Sequence, residues 1–456
     1  MRPFQSAIYK ASYLTQKKFF PLMHYVNEWQ PYRTGSRSKP DKKSRNIRYA
    51  ARRDAYIYAH YRKILIIKYE ERLKQLGISD CPIAYRRIMK TGNAGKCNID
   101  FAKEAFDRID EIGDCVAIAL DIRKFFENLN HAQIKEIWSD LLDVDYLPRD
   151  HFAVFKNLTQ YRYVDQNEVY TRLGYIEKSI INGTARYKRA EKFKDYKDIP
   201  KQLCSPTDFR SKIAGQGAGF TSLISKNTLK VGIPQGTPIS DLVANFYLLS
   251  FDKAMYSFAK EKNGYYYRYS DDILLILPGA RDEAEEARIF ALNAITEHGQ
   301  SLEIKDAKTC IVKYERNRTG LSYEHLGGPQ GKNGFEYLGF RFDGTNIYLR
   351  DATISRLFRK ASATCRREAI RIIKNNPTID KVALVEKFNI SHVCKRYLKV
   401  ESRELQLDDV KSWSFWTYVK RANQILGRKS DVIPKQINGF KTFLKDRVEA
   451  AVYKKK

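Results

Sequence analysis

Residues 264–278 (GYYYRYSDDILLILP) set two apolar or aromatic arms around Ser270-Asp271-Asp272. Arms of this kind predict a β-hairpin with buried strands. Two adjacent carboxylates at its tip repel one another, and burial raises the cost of keeping both charged. A divalent cation removes the conflict, and magnesium in particular takes a few carboxylates together with phosphate oxygens. A solvated Asp-Asp turn is the plainer alternative, so the rest of the chain has to decide.

Residues 115–122 (CVAIALDI) are a short apolar run that predicts a buried strand carrying Asp121 at its end. Taken alone, Asp121 reads as a helix N-cap. At the end of a central strand it can instead meet the Asp271-Asp272 hairpin. Three carboxylates from two segments would hold two magnesium ions, an arrangement that activates an attacking hydroxyl and stabilises a leaving pyrophosphate. A third segment, residues 232–240 (GIPQGTPIS), is a turn fixed by Gly and Pro with the Gln235 amide at its mouth. It leads into a helical pattern over 241–259 that contains Asn245.

Charge narrows the class of partner. Lys plus Arg number 82 against 53 Asp plus Glu, a formal net charge of +29. An excess of that size repels itself in a compact chain and points to a polyanionic partner. From Arg350 onward there are 26 Lys/Arg against 11 Asp/Glu, so about half of the excess lies in the last quarter. That surface reads as one that holds nucleic-acid phosphates. A hydrophobic share of 43% with 30% charged residues excludes a disordered chain. Apolar runs such as 273–277 are far short of the ~20 residues of a membrane span. The seven cysteines are scattered, with no CxxC pair, which argues against a disulfide framework or a zinc site and predicts reduced thiols in a cytoplasmic protein. Residues 1–20 hold no continuous apolar stretch, so no export signal is expected.

The remaining pattern is coarser. Residues 45–77 predict a helix ending at Gly77, and residues 98–110 a second helix capped by Asn98 or Asp100. Residues 335–349 predict a hairpin turning at Asp343-Gly344. Residues 31–44 form a polar loop, and the chain after Arg350 is mostly helical by pattern. Residues 160–228 are polar and basic and read as an insertion between core elements, one expected to contact template RNA.

In this order the segments resemble the reverse transcriptases, particularly bacterial ones related to group II intron and retron enzymes. Asp121 matches the first catalytic Asp of the palm, 232–240 the PQG-type loop, and 269–272 the YxDD box. Residues 303–308, ending in Lys308, match the motif that follows, and Tyr337-Leu338-Gly339 the primer grip. Arg45-Asn46-Ile47 matches the fingers more loosely. The resemblance implies an α+β right-hand polymerase. Fingers and an N-terminal extension would occupy 1–114, and a palm with an antiparallel sheet 115–345, interrupted by the insertion. A helical, basic thumb or C-terminal RNA-binding region would occupy 346–456.

The roles carried over follow the motifs. Asp121, Asp271 and Asp272 would bind two magnesium ions, with the backbone carbonyl of Ile122. Phe126 would lie under the sugar and exclude a 2′-hydroxyl, with Phe125 as the alternative. Gln235 and Gly236 would contact the incoming nucleotide and the template–primer. Lys308 would act on the leaving pyrophosphate, an exposed structural lysine being the alternative. Arg45, or Lys43, would clamp the triphosphate. No maturase region, HNH endonuclease, NAxxH or VTG signature is present. What remains resembles the stand-alone defence-associated reverse transcriptases of bacteria, with their type 2 lineage as one candidate. That implies a structured noncoding RNA as template and scaffold, dNTPs as substrates, and a cDNA product used in antiphage defence. Competing readings are a template-independent or protein-primed polymerase of the abortive-infection type, and a retron- or intron-like mobility enzyme. A non-catalytic RNA-binding module predicts lost carboxylates, and all three are present.

Overall fold

The computed structural model describes residues 11–29, 42–90, 94–193, 198–217, 219–299, 301–305, 309–328, 331–388, 397 and 414–453. Its centre is a five-stranded antiparallel sheet. The strand order is Gly320–Gly327, Cys310–Asn317, Cys115–Asp121, Asp272–Pro278, Tyr265–Tyr269. Alternation along the strands sends side chains to two cores. Val116, Ile118, Leu120, Ile273, Leu275 and Leu277 enter one, packed by helices Arg52–Leu76, Ser240–Tyr247, Leu249–Glu261 and Arg281–His298. Cys115, Ala117, Leu274, Ile276, Cys310 and Val312 enter the other, with helix Asn98–Ile112 and the C-terminal helices. A strand buried on both faces needs an uninterrupted apolar run, which is why ILLIL and CVAIAL contain no polar alternation. Each such Leu or Ile contributes about 2 kcal/mol by leaving water.

The molecule is an α+β fold built on an antiparallel central sheet, as expected. The C-terminal part is helical: Asp351–Asn375, Lys381–Lys387, Phe415–Leu426 and Phe440–Tyr453. Among the described residues no helix is long and apolar enough to cross a membrane. Among the described residues Cys81, Cys97, Cys115, Cys204, Cys310 and Cys365 form no disulfide with one another.

Four sequence expectations are corrected. The helix expected over 45–77 begins at Arg52, because Lys43–Tyr49 is a strand paired antiparallel with Leu22–Trp29. Its end is as expected, with Gly77 in the left-handed conformation. The helix expected over 98–110 runs to Ile112 and is capped at Cys97, whose N–H donates to the Asp100 carboxylate at 2.8 Å. The hairpin expected over 335–349 is a three-stranded meander, Phe335–Tyr337, Phe340–Phe342 and Ile347–Leu349. Its unforeseen first turn holds Leu338 at φ 45° and Gly339 at φ 96°.

The fourth correction concerns residues 160–228. Arg162–Asp165 pairs in parallel with Leu22–Trp29 and antiparallel with Ser225–Lys226. Both ends of the segment therefore complete the N-terminal sheet, in the order Lys43–Tyr49, Leu22–Trp29, Arg162–Asp165, Ser225–Lys226. Pairing across more than 130 residues overrides local composition, which has no signal for it.

Candidate active site

Strand register decides where the carboxylates meet. Asp121 ends its strand directly opposite Asp272, the first residue of the neighbouring strand. By alternation both lie on the sheet face of Ala117 and Leu274, toward helix Asn98–Ile112 and the 335–349 meander. Like charges directly opposite across a sheet are destabilising. Asp271 precedes Asp272 in the two-residue turn, and its carbonyl accepts from the Ile122 N–H at 3.0 Å. Ser270, the other turn residue, sits at φ 62°, a conformation most side chains avoid. Asp121 is buried, Asp271 half-buried and Asp272 exposed.

The backbone thus brings Asp121, Ile122, Asp271 and Asp272 to one end of two adjacent strands. Among the described residues, no three His, Cys, Asp or Glu side chains converge to form a metal-binding group. Side chains of like charge favour separation until a cation compensates them. The donor set is all oxygen, three carboxylates and a carbonyl, and that chemistry fits a hard divalent cation.

A buried ion pair shapes the turn, and sequence reasoning missed it. Arg268 and Asp252 are both fully buried and joined by two hydrogen bonds of 2.6 Å. Arg268 also donates to the Ser270 carbonyl at 3.0 Å and to the Asn245 carbonyl at 3.1 Å, and Tyr266 donates its hydroxyl to Asp252 at 2.7 Å. Burial opposes the guanidinium charge, and the Asp252 carboxylate more than compensates, so Arg268 is held firmly charged. Arginine's fork thereby ties the carboxylate turn to the helices that follow the Gln235 loop. The available signal was an Arg inside an aromatic strand arm, which demands a buried partner.

The Gln235 loop is held on two sides. Gly232 N–H donates to Leu129 O at 2.8 Å and Ile233 N–H to Phe126 O at 2.8 Å. On the other side Arg48 N–H donates to Gln235 O at 2.9 Å. Gly232 has φ +89°, and a Cβ there would lie 2.8 Å from Glu127 O, so only glycine fits. Gly236, at φ +126°, is pressed against Arg48 O and Ile47 in the same way. Burial pushes the His131 imidazole pKa down, and its Nε2–H donates to Gly232 O at 2.8 Å.

The aromatic pair after Asp121 divides between the core and its edge. Phe125 is buried in the core, and Phe126 is half-buried beside it with ring centroids 5.7 Å apart. Arg45 is exposed and stacks over Trp29 at 5.5 Å; the residue of that strand bound to the Gln235 loop is Arg48. The Arg48 guanidinium lies 5.3 Å and 5.0 Å from the Tyr161 and Tyr163 rings. Lys308 lies outside the described residues, though the segment before it runs beside Asp121, where Lys305 N–H donates to Asp121 O at 2.9 Å. Burial pushes the Tyr269 phenol pKa up, with Tyr85 and Asp272 adding to the effect. Among the described residues the buried Tyr337 hydroxyl has no hydrogen-bond partner.

Solved structures similar to this chain include apo telomerase from Candida tropicalis, at 11% identity, TM-score 0.41, covering 96% of this chain and 64% of that one. A version of it truncated from its C-terminal domain has 11% identity and TM-score 0.39, covering 73% and 55%. Telomerase from Candida albicans in complex with a TWJ fragment of telomeric RNA has 11% identity and TM-score 0.39, covering 100% and 68%. The chain thus spans 55% to 68% of the length of these proteins. No curated protein matches it in sequence. Residues 201–342 match the family model described as "Reverse transcriptase (RNA-dependent DNA polymerase)", a span that contains Gln235, Gly236, Asp271 and Asp272 but not Asp121. Over those residues the chain is similar to reverse transcriptase domains.

Proposed function

We propose that the chain is an RNA-directed DNA polymerase that copies an associated structured noncoding RNA, its cDNA serving bacterial antiphage defence. The observation that carries the chemistry is Asp121 facing Asp272 across the sheet, with Asp271 in the adjoining turn. Asp121, Asp271, Asp272 and the Ile122 carbonyl would hold the two magnesium ions. Bound there, magnesium lowers the pKa of an attacking hydroxyl and offsets charge on the transferring phosphate. The protein's own share is positioning. Arg268 holds the turn, and the Gln235 loop, fastened between Phe126 and Arg48, would present the dNTP. The family match supports the polymerase part, and the basic C-terminal helices support an RNA partner. The defence role rests on the sequence resemblance, and a cytoplasmic location on the scattered cysteines.

The test is to purify the chain from cells carrying its native flanking DNA and sequence the bound nucleic acids. A defined RNA is expected with both the wild-type chain and the Asp271→Ala/Asp272→Ala variant, and its complementary DNA with the wild type alone. DNA without a matching RNA would overturn the RNA-templated reading.

Sugar choice is a second expectation. Phe126→Ala should raise ribonucleotide relative to deoxynucleotide incorporation by about tenfold or more, corresponding to ~1.4 kcal/mol. Unchanged discrimination in a single-nucleotide extension assay would remove Phe126 from that role.

A further inference from the structure

Among the described residues, the hairpin formed by Ile176–Ile181 and Thr184–Arg189 is a two-stranded sheet of its own. It turns at Asn182-Gly183, with φ of 49° and 72°, the two-residue turn that suits a twisted ribbon. An isolated two-stranded ribbon is marginal in water unless something holds it. Among the described residues, this one is held at its base. Ile176 is buried, Ala190 N–H donates to Tyr175 O at 3.0 Å, and Glu168 accepts from Lys178 at 2.7 Å and from the Tyr187 hydroxyl at 3.3 Å.

Beyond the base the ribbon stands in solvent. Ile180 is 73% and Ile181 46% exposed at its tip, and Arg186, Lys188 and Lys192 are exposed on the second strand and just after it. Consecutive strand residues point to opposite faces, so the two isoleucines cap the end of the ribbon and do not form one apolar face. A protein partner would be met by a contiguous apolar patch. An apolar tip on a cationic stem instead matches a nucleic acid, whose terminal base pair is flat and apolar and whose flanks are phosphate. The base is also connected to the nucleotide loop. Helix Gln166–Arg172 follows strand Arg162–Asp165, two strands away from Lys43–Tyr49, where Arg48 binds Gln235 O.

We propose that this hairpin is a strand-separating pin for structured template RNA. Ile180 and Ile181 pack on the end of an RNA stem, while Arg186, Lys188 and Lys192 take the phosphates of its strands. The inference rests on the polymerase reading and names a surface that reading does not use.

The experiment uses the full chain with two primed templates: unstructured poly(rA) with oligo(dT), and an RNA whose primer site is followed by a stable stem-loop. Ile180→Ser/Ile181→Ser is expected to extend poly(rA) at the wild-type rate and to stall at the foot of the stem, with about tenfold less full-length product. Arg186→Ser/Lys188→Ser should reduce the slope of log binding against log salt on the stem-loop RNA by roughly 2. Equal read-through by wild type and tip variant would overturn the pin. Equal loss on both templates would also overturn it, marking the tip as a packing element. Failure of the wild-type chain on poly(rA) would overturn the polymerase reading itself.

Discussion

Asp271→Ala combined with Asp272→Ala is expected to abolish primer extension, a loss of at least about 10³-fold, while the fold melts no lower than wild type. The two halves have one cause. Asp272 faces Asp121 across the sheet, and Asp271 adjoins it in the turn. Without a cation this costs stability, so deleting two charges is neutral or favourable to folding. With a cation bound, the same carboxylates would place positive charge where the transferring phosphate develops negative charge, and removing them would forfeit that stabilisation. Primer extension and a thermal melt on the same preparation separate the two effects. Retained synthesis would overturn the site. Lost synthesis with a collapsed melt would make the carboxylates structural.

Arg268→Met should destabilise the chain by about 3–5 kcal/mol, because it leaves Asp252 as an uncompensated buried charge. The informative variant is the double one. Arg268→Met with Asp252→Leu replaces the pair by apolar side chains and should recover most of the stability, as buried pairs often allow. It should not recover synthesis, because the Ser270 carbonyl has lost the Arg268 donor that ties down the carboxylate turn. The expected signature is a near-wild-type melting temperature with kcat reduced by tenfold or more and KM for dNTP little changed, about 1.4 kcal/mol in the barrier. Recovery of kcat together with stability would reduce Arg268 to a structural role.

Much of the candidate site was legible because it is written in local chemistry. Carboxylates beside apolar strands conflict with burial, and that conflict is visible in YSDD and ALD without any coordinates. Gly232, Pro234 and Gly236 announce a turn, and Gly232 in fact fits against Glu127 only because it lacks a Cβ. Continuous apolar runs announced a sheet covered on both faces, as Val116 to Leu120 and Ile273 to Leu277 have become.

What remained illegible is long-range pairing. The strand at Lys43–Tyr49 was mistaken for the start of a helix because its partner, Leu22–Trp29, leaves no mark in the local sequence. Residues 160–228 looked like an insertion because Arg162–Asp165 pairs with a strand about 140 residues earlier. The same limit applied to Arg268, whose partner Asp252 lies 16 residues away on another element, and to Arg48, whose backbone N–H reaches the Gln235 loop. By itself the sequence determined which residue types carry the chemistry and in what order, since burial and charge conflict residue by residue. Only the tertiary structure decided the register that sets Asp121 against Asp272 and the buried fork that holds the turn, because both depend on the free energy of packing distant segments together.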